Sequence, residues 1–135
     1  KIRSALKKNL RIIFCIGETF AEKRKKITYS ILRKQIYNGL KGIKNFRNIL
    51  IAYEPVWSIG TGIIPSNREL NLNILNIKKI ISKKTKVKLP ILYGGSVNDK
   101  NISNLMNIGG ISGFLVGSAS QNSKKFIDII KKTIN

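Results

Sequence analysis

Residues 48–62 read Asn48-Ile49-Leu50-Ile51-Ala52-Tyr53-Glu54-Pro55-Val56-Trp57-Ser58-Ile59-Gly60-Thr61-Gly62, and this stretch decides the fold. Its first half is an unbroken apolar run of strand length. It lacks the in-out alternation of a strand with one wet face, so both faces are expected to be covered. Pro55 stops the run, and a loop punctuated by Gly and Pro follows to Pro65. Glu54 therefore stands at the C-terminal end of a buried strand, where α/β architectures hold their ligands.

Working outward, strand-like and helical stretches alternate. Leu10–Ile16 is a first strand that stops at Gly17, Leu89–Tyr93 a third that ends at Gly94-Gly95, and Ile111–Val116 a fourth. Apolar residues recur with helical period at Ile27, Ile31, Ile36, Leu40 and Ile43, and again at Leu70, Ile74, Ile77 and Ile81. Ser66 and Glu69 have the spacing of a capping box, Ser66 as N-cap and Glu69 reaching back. A short polar helix is expected from about residue 98 to 106, and a last helix carrying Phe126, Ile127, Ile130 and Ile134 inward. Four strand–helix units predict an α/β fold of parallel strands covered by crossover helices. No linker or composition shift marks a second domain.

The 135 residues carry 26 Lys+Arg against 6 Asp+Glu and no His, a formal net charge of +20. Such a charge raises a basic polyanion- or nucleic-acid-binding module as the alternative class of function. Lys (20), Ile (25) and Asn (14) are inflated together, as a genome rich in A/T codons would do. The basic residues are also dispersed on or after helical stretches, so no specific nucleic-acid partner is expected. The apolar runs are too short for a spanning helix, and no membrane partner is expected. A single Cys excludes an internal disulfide framework, and without His the usual ligands of a His/Cys metal site are missing. No metal is expected. Cys15, with no His or helix N-terminus beside it in sequence, is expected to be a buried, inert thiol. Lys1 opens the chain and residues 1–8 read like the end of a helix, so a piece of a longer polypeptide is expected.

Three of the four strand ends are rich in Gly and hydroxyl residues. Backbone amides beside Gly approach an anion closely, and helix N-termini turn free N–H groups toward it. Gly60, Ser96 and the Gly117-Ser118 pair would together hold a phosphate. A carboxylate beside such a cradle, Glu54, suits proton abstraction from a small phosphorylated substrate. Taken singly, the same glycines serve as tight turns and Glu54 as a local cap or ion-pair partner, and that reading stays open at this point.

Taken together, in order and spacing, CIGE (15–18), AYEPVWSIGTG (52–62), YGGSV (93–97) and GFLVGSAS (113–120) resemble the C-terminal half of the triosephosphate isomerase family over essentially the whole chain. The resemblance implies strands five to eight of a (β/α)8 barrel, residues 1–135 forming one partial domain with the N-terminal half absent. It implies interconversion of dihydroxyacetone phosphate and D-glyceraldehyde 3-phosphate through an enediolate, without a cofactor, in glycolysis, gluconeogenesis and the pentose phosphate pathway of the cytoplasm. Glu54 matches the catalytic base. Gly60, Ser96, Gly117 and Ser118 match the amides that hold the phosphate. Pro55, Val56 and Trp57 match the first hinge of a lid whose tip is Ser58–Gly62, and Ile59 and Leu115 the apolar pair that clamps the base. Glu18 matches the carboxylate partner of Trp57. Tyr93 matches the hydroxyl that bonds the second hinge on closure.

The departures carry their own expectations. Ser118 stands where the family has a second Gly, so its side chain is expected to crowd the approach and resist positive φ. The second hinge reads Ile63-Ile64-Pro65 without the usual Lys, and Pro65 lacks the N–H that Tyr93 would meet, so a less stable closed lid is expected. The partners implied are the triose phosphate, the N-terminal half that supplies a Lys and a His, and a second subunit in a homodimer when complete. Alone, the chain is expected to be inactive and to leave its first and fourth strands with open edges.

Overall fold

The computed structural model describes residues 1–134. In chain order the elements are α1 (Ile2–Lys7), β1 (Ile12–Ile16), α2 (Phe20–Arg24), α3 (Thr28–Gly39), β2 (Ile49–Tyr53), α4 (Asn67–Thr85), β3 (Ile91–Gly94), α5 (Ile102–Met106), β4 (Gly113–Leu115) and α6 (Ser123–Ile134). The strands make one parallel sheet in the order β1-β2-β3-β4. This is the expected α/β architecture, consistent with part of a barrel.

The core lies between one face of the sheet and the helices. Ile16, Ile49, Ile51, Tyr53, Ile91 and Tyr93 are buried there with Leu32, Ile36 and Leu40 of the α3 segment and Leu70, Ile74, Ile77 and Ile81 of α4. Each such side chain contributes about 1.5–3 kcal/mol through its removal from water, so this layer fixes the sheet. The opposite face is open: Ile13 is 46% exposed and Cys15 is exposed. β1 and β4, each paired on one side only, are the free edges.

Four expectations are corrected. In α3 the buried positions are Leu32 and Ile36, continued by Leu40 as an i, i+4 stripe, whereas Ile27 precedes the first turn as N-cap and stays exposed. The helix expected from residue 98 begins at Ile102, because the Asn98 carboxamide accepts from the amides of Lys100 and Asn101 and holds a turn there. Ser66 caps α4 through the Glu69 amide, but the Glu69 carboxylate turns to Lys23 instead of reaching back. A complete capping box forms instead at Thr19 and Glu22, opening α2.

The fourth correction concerns α6. Only Ile129 is buried; Phe126, Ile127, Ile130 and Ile134 are 36–76% exposed. The stripe has the predicted helical period, but the sheet ends at β4. A hollow of about 410 Å³ lined by Phe114, Phe126, Ile129 and Ile130 lies between α6 and β4.

Candidate active site

Glu54 is set by the strands on either side of it. Its amide donates to the Ile16 carbonyl (2.8 Å), which continues the β1–β2 ladder one residue past Tyr53. Its own carbonyl lies so close to Gly17 that a β-carbon there would sit 1.8 Å away. Gln35 of α3 grips Gly17 from the other side, accepting from its amide and donating to its carbonyl, both at 2.9 Å. Across the next strand, a β-carbon on Gly94 would lie 2.7 Å from Glu54 Oε1. Two glycines thus create the space for this residue, one for its main chain and one for its carboxylate. Gly94 is in turn the register partner of Leu115, so the half-buried Leu115 lies one strand beyond the carboxylate.

Cys15 is exposed on the open face of the sheet, which corrects the expectation of a buried thiol. The strand alternation sends it to the side that the helices do not cover. Partial desolvation, then a hydrogen bond to Glu54 and the negative charge of that carboxylate, push the thiol up to about 11. Partial burial and that neighbour together disfavour the thiolate.

The loop after β2, expected to form the lid, is anchored at its start by a buried polar cluster. Trp57 Nε1 donates to Glu18 Oε1 (2.9 Å), and Glu18 has no exposed surface. The Tyr53 hydroxyl donates to Glu18 Oε2 (3.2 Å) and accepts from Asn73 Nδ2 (2.8 Å). Burial, with Glu18 adding its charge, raises the Tyr53 hydroxyl far above the ordinary phenol range. Lys23 Nζ lies 3.7 Å from the centre of the Trp57 ring and pairs with Glu69 at 2.8 Å, a cation–π contact in an ion pair. The Pro55 ring is buried, and Val56 is 51% exposed.

The lid tip is seated on Ser96. The Gly62 amide donates to Ser96 Oγ (2.9 Å), which donates to the Ser58 carbonyl (2.6 Å). Gly60 and Gly62 both have positive φ, which glycine adopts without strain. Ser96 is itself left-handed at φ 51°, held by Asn98 and Asn101 carboxamides that donate to its carbonyl. With its hydroxyl committed to the lid, Ser96 has its amide left to offer an anion. Ile59 remains 53% exposed, so the apolar clamp over Glu54 is not made here.

A hollow of about 310 Å³ brings together Gly60, Gly62, Ser96 and Ser118, with Lys125 and Asp99 at its lining. Gly117, two residues past the end of β4, and Glu54 are not among the residues that line it. Ser118 opens a single 3-10 turn (Ser118–Gln121) and is not among the residues with positive φ, so the expected backbone conflict does not arise. Tyr93 is buried, and its hydroxyl, raised by burial, donates to the Gly95 carbonyl (3.2 Å) beside Ser58 Oγ. Pro65 is buried and offers no N–H.

Sequence reasoning did not single out Gln35, Lys23 or Asn73, and took Gly94 only as a strand-ending glycine and Ser58 only as the start of the lid tip. A glycine against a carboxylate leaves no local signal, and Gln35 and Asn73 sit on helices whose apolar period dominates. Only the Thr19–Glu22 spacing was available as a clue to the helix that brings Lys23 under Trp57. Among the described residues no cluster of metal-ligating side chains occurs.

A family model described as triosephosphate isomerase matches residues 1–133. The chain is similar to the triosephosphate isomerase of Thermodesulfovibrio yellowstonii, 43% identical over 134 residues that cover 97% of this chain and 54% of that protein. The Leptospira biflexa enzyme of the same name is 44% identical over 97% of this chain and 56% of its own length. That of Mycoplasmopsis agalactiae is 41% identical over 96% of this chain and 48% of its own length. The chain spans about half the length of the curated relatives it matches.

Proposed function

This chain belongs to the triosephosphate isomerase family, and we propose that it forms the C-terminal half of such an isomerase. In this reading residues 1–135 are one partial domain carrying the base, the lid and the phosphate cradle of a (β/α)8 barrel. The other half supplies the Lys and His, and the completed enzyme is a homodimer in the cytoplasm. The observation that carries the reading is the placement of Glu54, held by Gly17 and Gly94 at the mouth of the sheet, on the side where Gly60, Ser96 and Ser118 line one small hollow.

The chemistry follows from that placement. The amides of Gly60, Ser96, Gly117 and Ser118 hold the phosphate through its anionic oxygens. Fixing this non-reacting group directs its binding energy to placing the hydroxymethyl and carbonyl carbons at Glu54. Glu54 removes a proton from the carbon next to the carbonyl of dihydroxyacetone phosphate. The C–H electron pair becomes the enediolate double bond, and the carbonyl oxygen takes the negative charge. After proton exchange between the two oxygens, Glu54 returns the proton to the neighbouring carbon and glyceraldehyde 3-phosphate results. The positive groups that stabilise the enediolate come from the other half. With the barrel complete, Ile59 and Leu115 close over Glu54 and exclude water.

A hollow of about 310 Å³ lined by Gly60, Ser96 and Ser118 supports the phosphate-holding part of this reading. The test is isomerisation by the complete polypeptide and by its Glu54→Gln variant. The expected results are turnover by the parent, a loss of a thousandfold or more in kcat, and retained binding of 2-phosphoglycolate. Full activity in Glu54→Gln, or no competition by 2-phosphoglycolate in the parent, overturns the reading.

A further inference from the structure

The base of the lid holds a fully buried hydroxyl that none of these roles uses. Ser58 has no exposed surface. Its amide donates to the Pro55 carbonyl (2.8 Å) and its carbonyl accepts from Ser96 Oγ (2.6 Å). Its Oγ donates to the carbonyl of Ile63, five residues on, at the start of the second hinge, and lies 3.5 Å from the Tyr93 hydroxyl. Every polar group of Ser58 is therefore engaged, and the partners lie on both ends of the lid and on β3.

The second hinge cannot make the corresponding link from its own backbone. Pro65 has no N–H, so the Tyr93 hydroxyl has no amide to meet there and donates to Gly95 instead. Gly95 is shaped for this arrangement. At φ 145° it is in glycine territory, and a β-carbon would lie 2.8 Å from both Ser58 Oγ and Tyr93 Oη. The two hydroxyls occupy the room that a side chain at residue 95 would take.

We propose that Ser58 is a positioning residue that latches the lid: its hydroxyl ties the first hinge to the second at Ile63, beside Tyr93, and so supplies from a side chain the link that Pro65 denies to the main chain. The lid is then less weakened by Pro65 than the loss of an amide alone requires. The proposal rests on the isomerase reading for its consequence in catalysis, but the latch itself is a property of the loop.

The test is a double-mutant cycle in the complete polypeptide with Ser58→Ala, Pro65→Ala and the pair. Two quantities are read: amide hydrogen exchange at Gly62, and inorganic phosphate released per isomerisation. The second reports escape of the enediolate, whose C–O bond to phosphate breaks when the lid fails to shield it. Ser58→Ala is expected to speed Gly62 exchange about tenfold and to raise phosphate release about tenfold, with 2-phosphoglycolate affinity falling less than kcat. With Pro65→Ala restoring an amide, the same substitution is expected to change both by less than threefold. Unchanged exchange in Ser58→Ala, or an equal effect in both backgrounds, overturns the latch. A parent without isomerisation overturns the isomerase reading, and the exchange result still decides the latch.

Discussion

The carboxylate of Glu54 occupies space that exists because residue 94 has no side chain: a β-carbon on Gly94 would stand 2.7 Å from Oε1 and 2.8 Å from Cγ. That distance is well inside van der Waals contact, so even Ala must push the carboxylate aside. Because the neighbour is the end of a side chain and not backbone, the fold can yield. Gly94→Ala is therefore expected to leave folding nearly intact while displacing that carboxylate by about a few tenths of an ångström to an ångström. Misplacement on that scale costs about 10²-fold in rate. In the proposed isomerase, steady-state kinetics of the complete polypeptide check this: kcat is expected to fall and KM to change little.

Trp57 and Glu18 give the second prediction. The indole N–H is one of two donors to a carboxylate with no exposed surface. Trp57→Phe keeps an aromatic ring for Lys23 to cover but leaves Glu18 with Tyr53 alone. A hydrogen bond to a buried charge contributes about 1.5–3 kcal/mol. The lid is expected to open by a corresponding factor, read as a weaker 2-phosphoglycolate affinity. Lys23→Met, which removes the cation from the ring and from an ion pair that is only partly buried, is expected to cost well under half of that.

The strands, their parallel order and the apolar face of α4 were legible because each is written in a short periodic pattern: Leu70, Ile74, Ile77 and Ile81 are all buried. The acid at the end of β2 was legible because it interrupts a buried run. What stayed hidden depends on contacts far apart in sequence. Gly17 and Gly94 look like turn glycines until Glu54 is seen between them. Cys15 reads as core until the sheet is seen to have an uncovered face. The stripe on α6 is apolar, as its period predicts, yet exposed, since periodicity tells which residues share a face and not whether anything covers it.

Cys15 tests the field around the base directly. Its thiol is exposed yet pushed up to about 11 by partial desolvation and by Glu54. The reactive species is the thiolate, so alkylation of the folded protein by iodoacetamide is expected to keep rising about tenfold per pH unit beyond pH 9, where an ordinary thiol levels off. Glu54→Gln removes the negative charge while keeping an acceptor of similar size. It is expected to lower the thiol's proton affinity and to speed alkylation several-fold at pH 8. An unchanged rate in Glu54→Gln would show that Glu54 does not govern this thiol.

The exposed face of α6 allows the last prediction, because it behaves oppositely in two contexts. Ile127 and Ile130 are 49% and 42% exposed, beside the apolar hollow between α6 and β4. In the chain by itself such a stripe, next to the unpaired edge of β4, favours self-association. Ile127→Lys with Ile130→Lys is therefore expected to shift the isolated chain toward the monomer in size-exclusion chromatography. If the missing half of a barrel covers this face, the same two lysines in the complete polypeptide must bury charge or expose the core. They are expected to lower its thermal midpoint by ten degrees or more. A surface face would respond the same way in both settings, so opposite signs in the two measurements distinguish a docking face from an ordinary exposed helix.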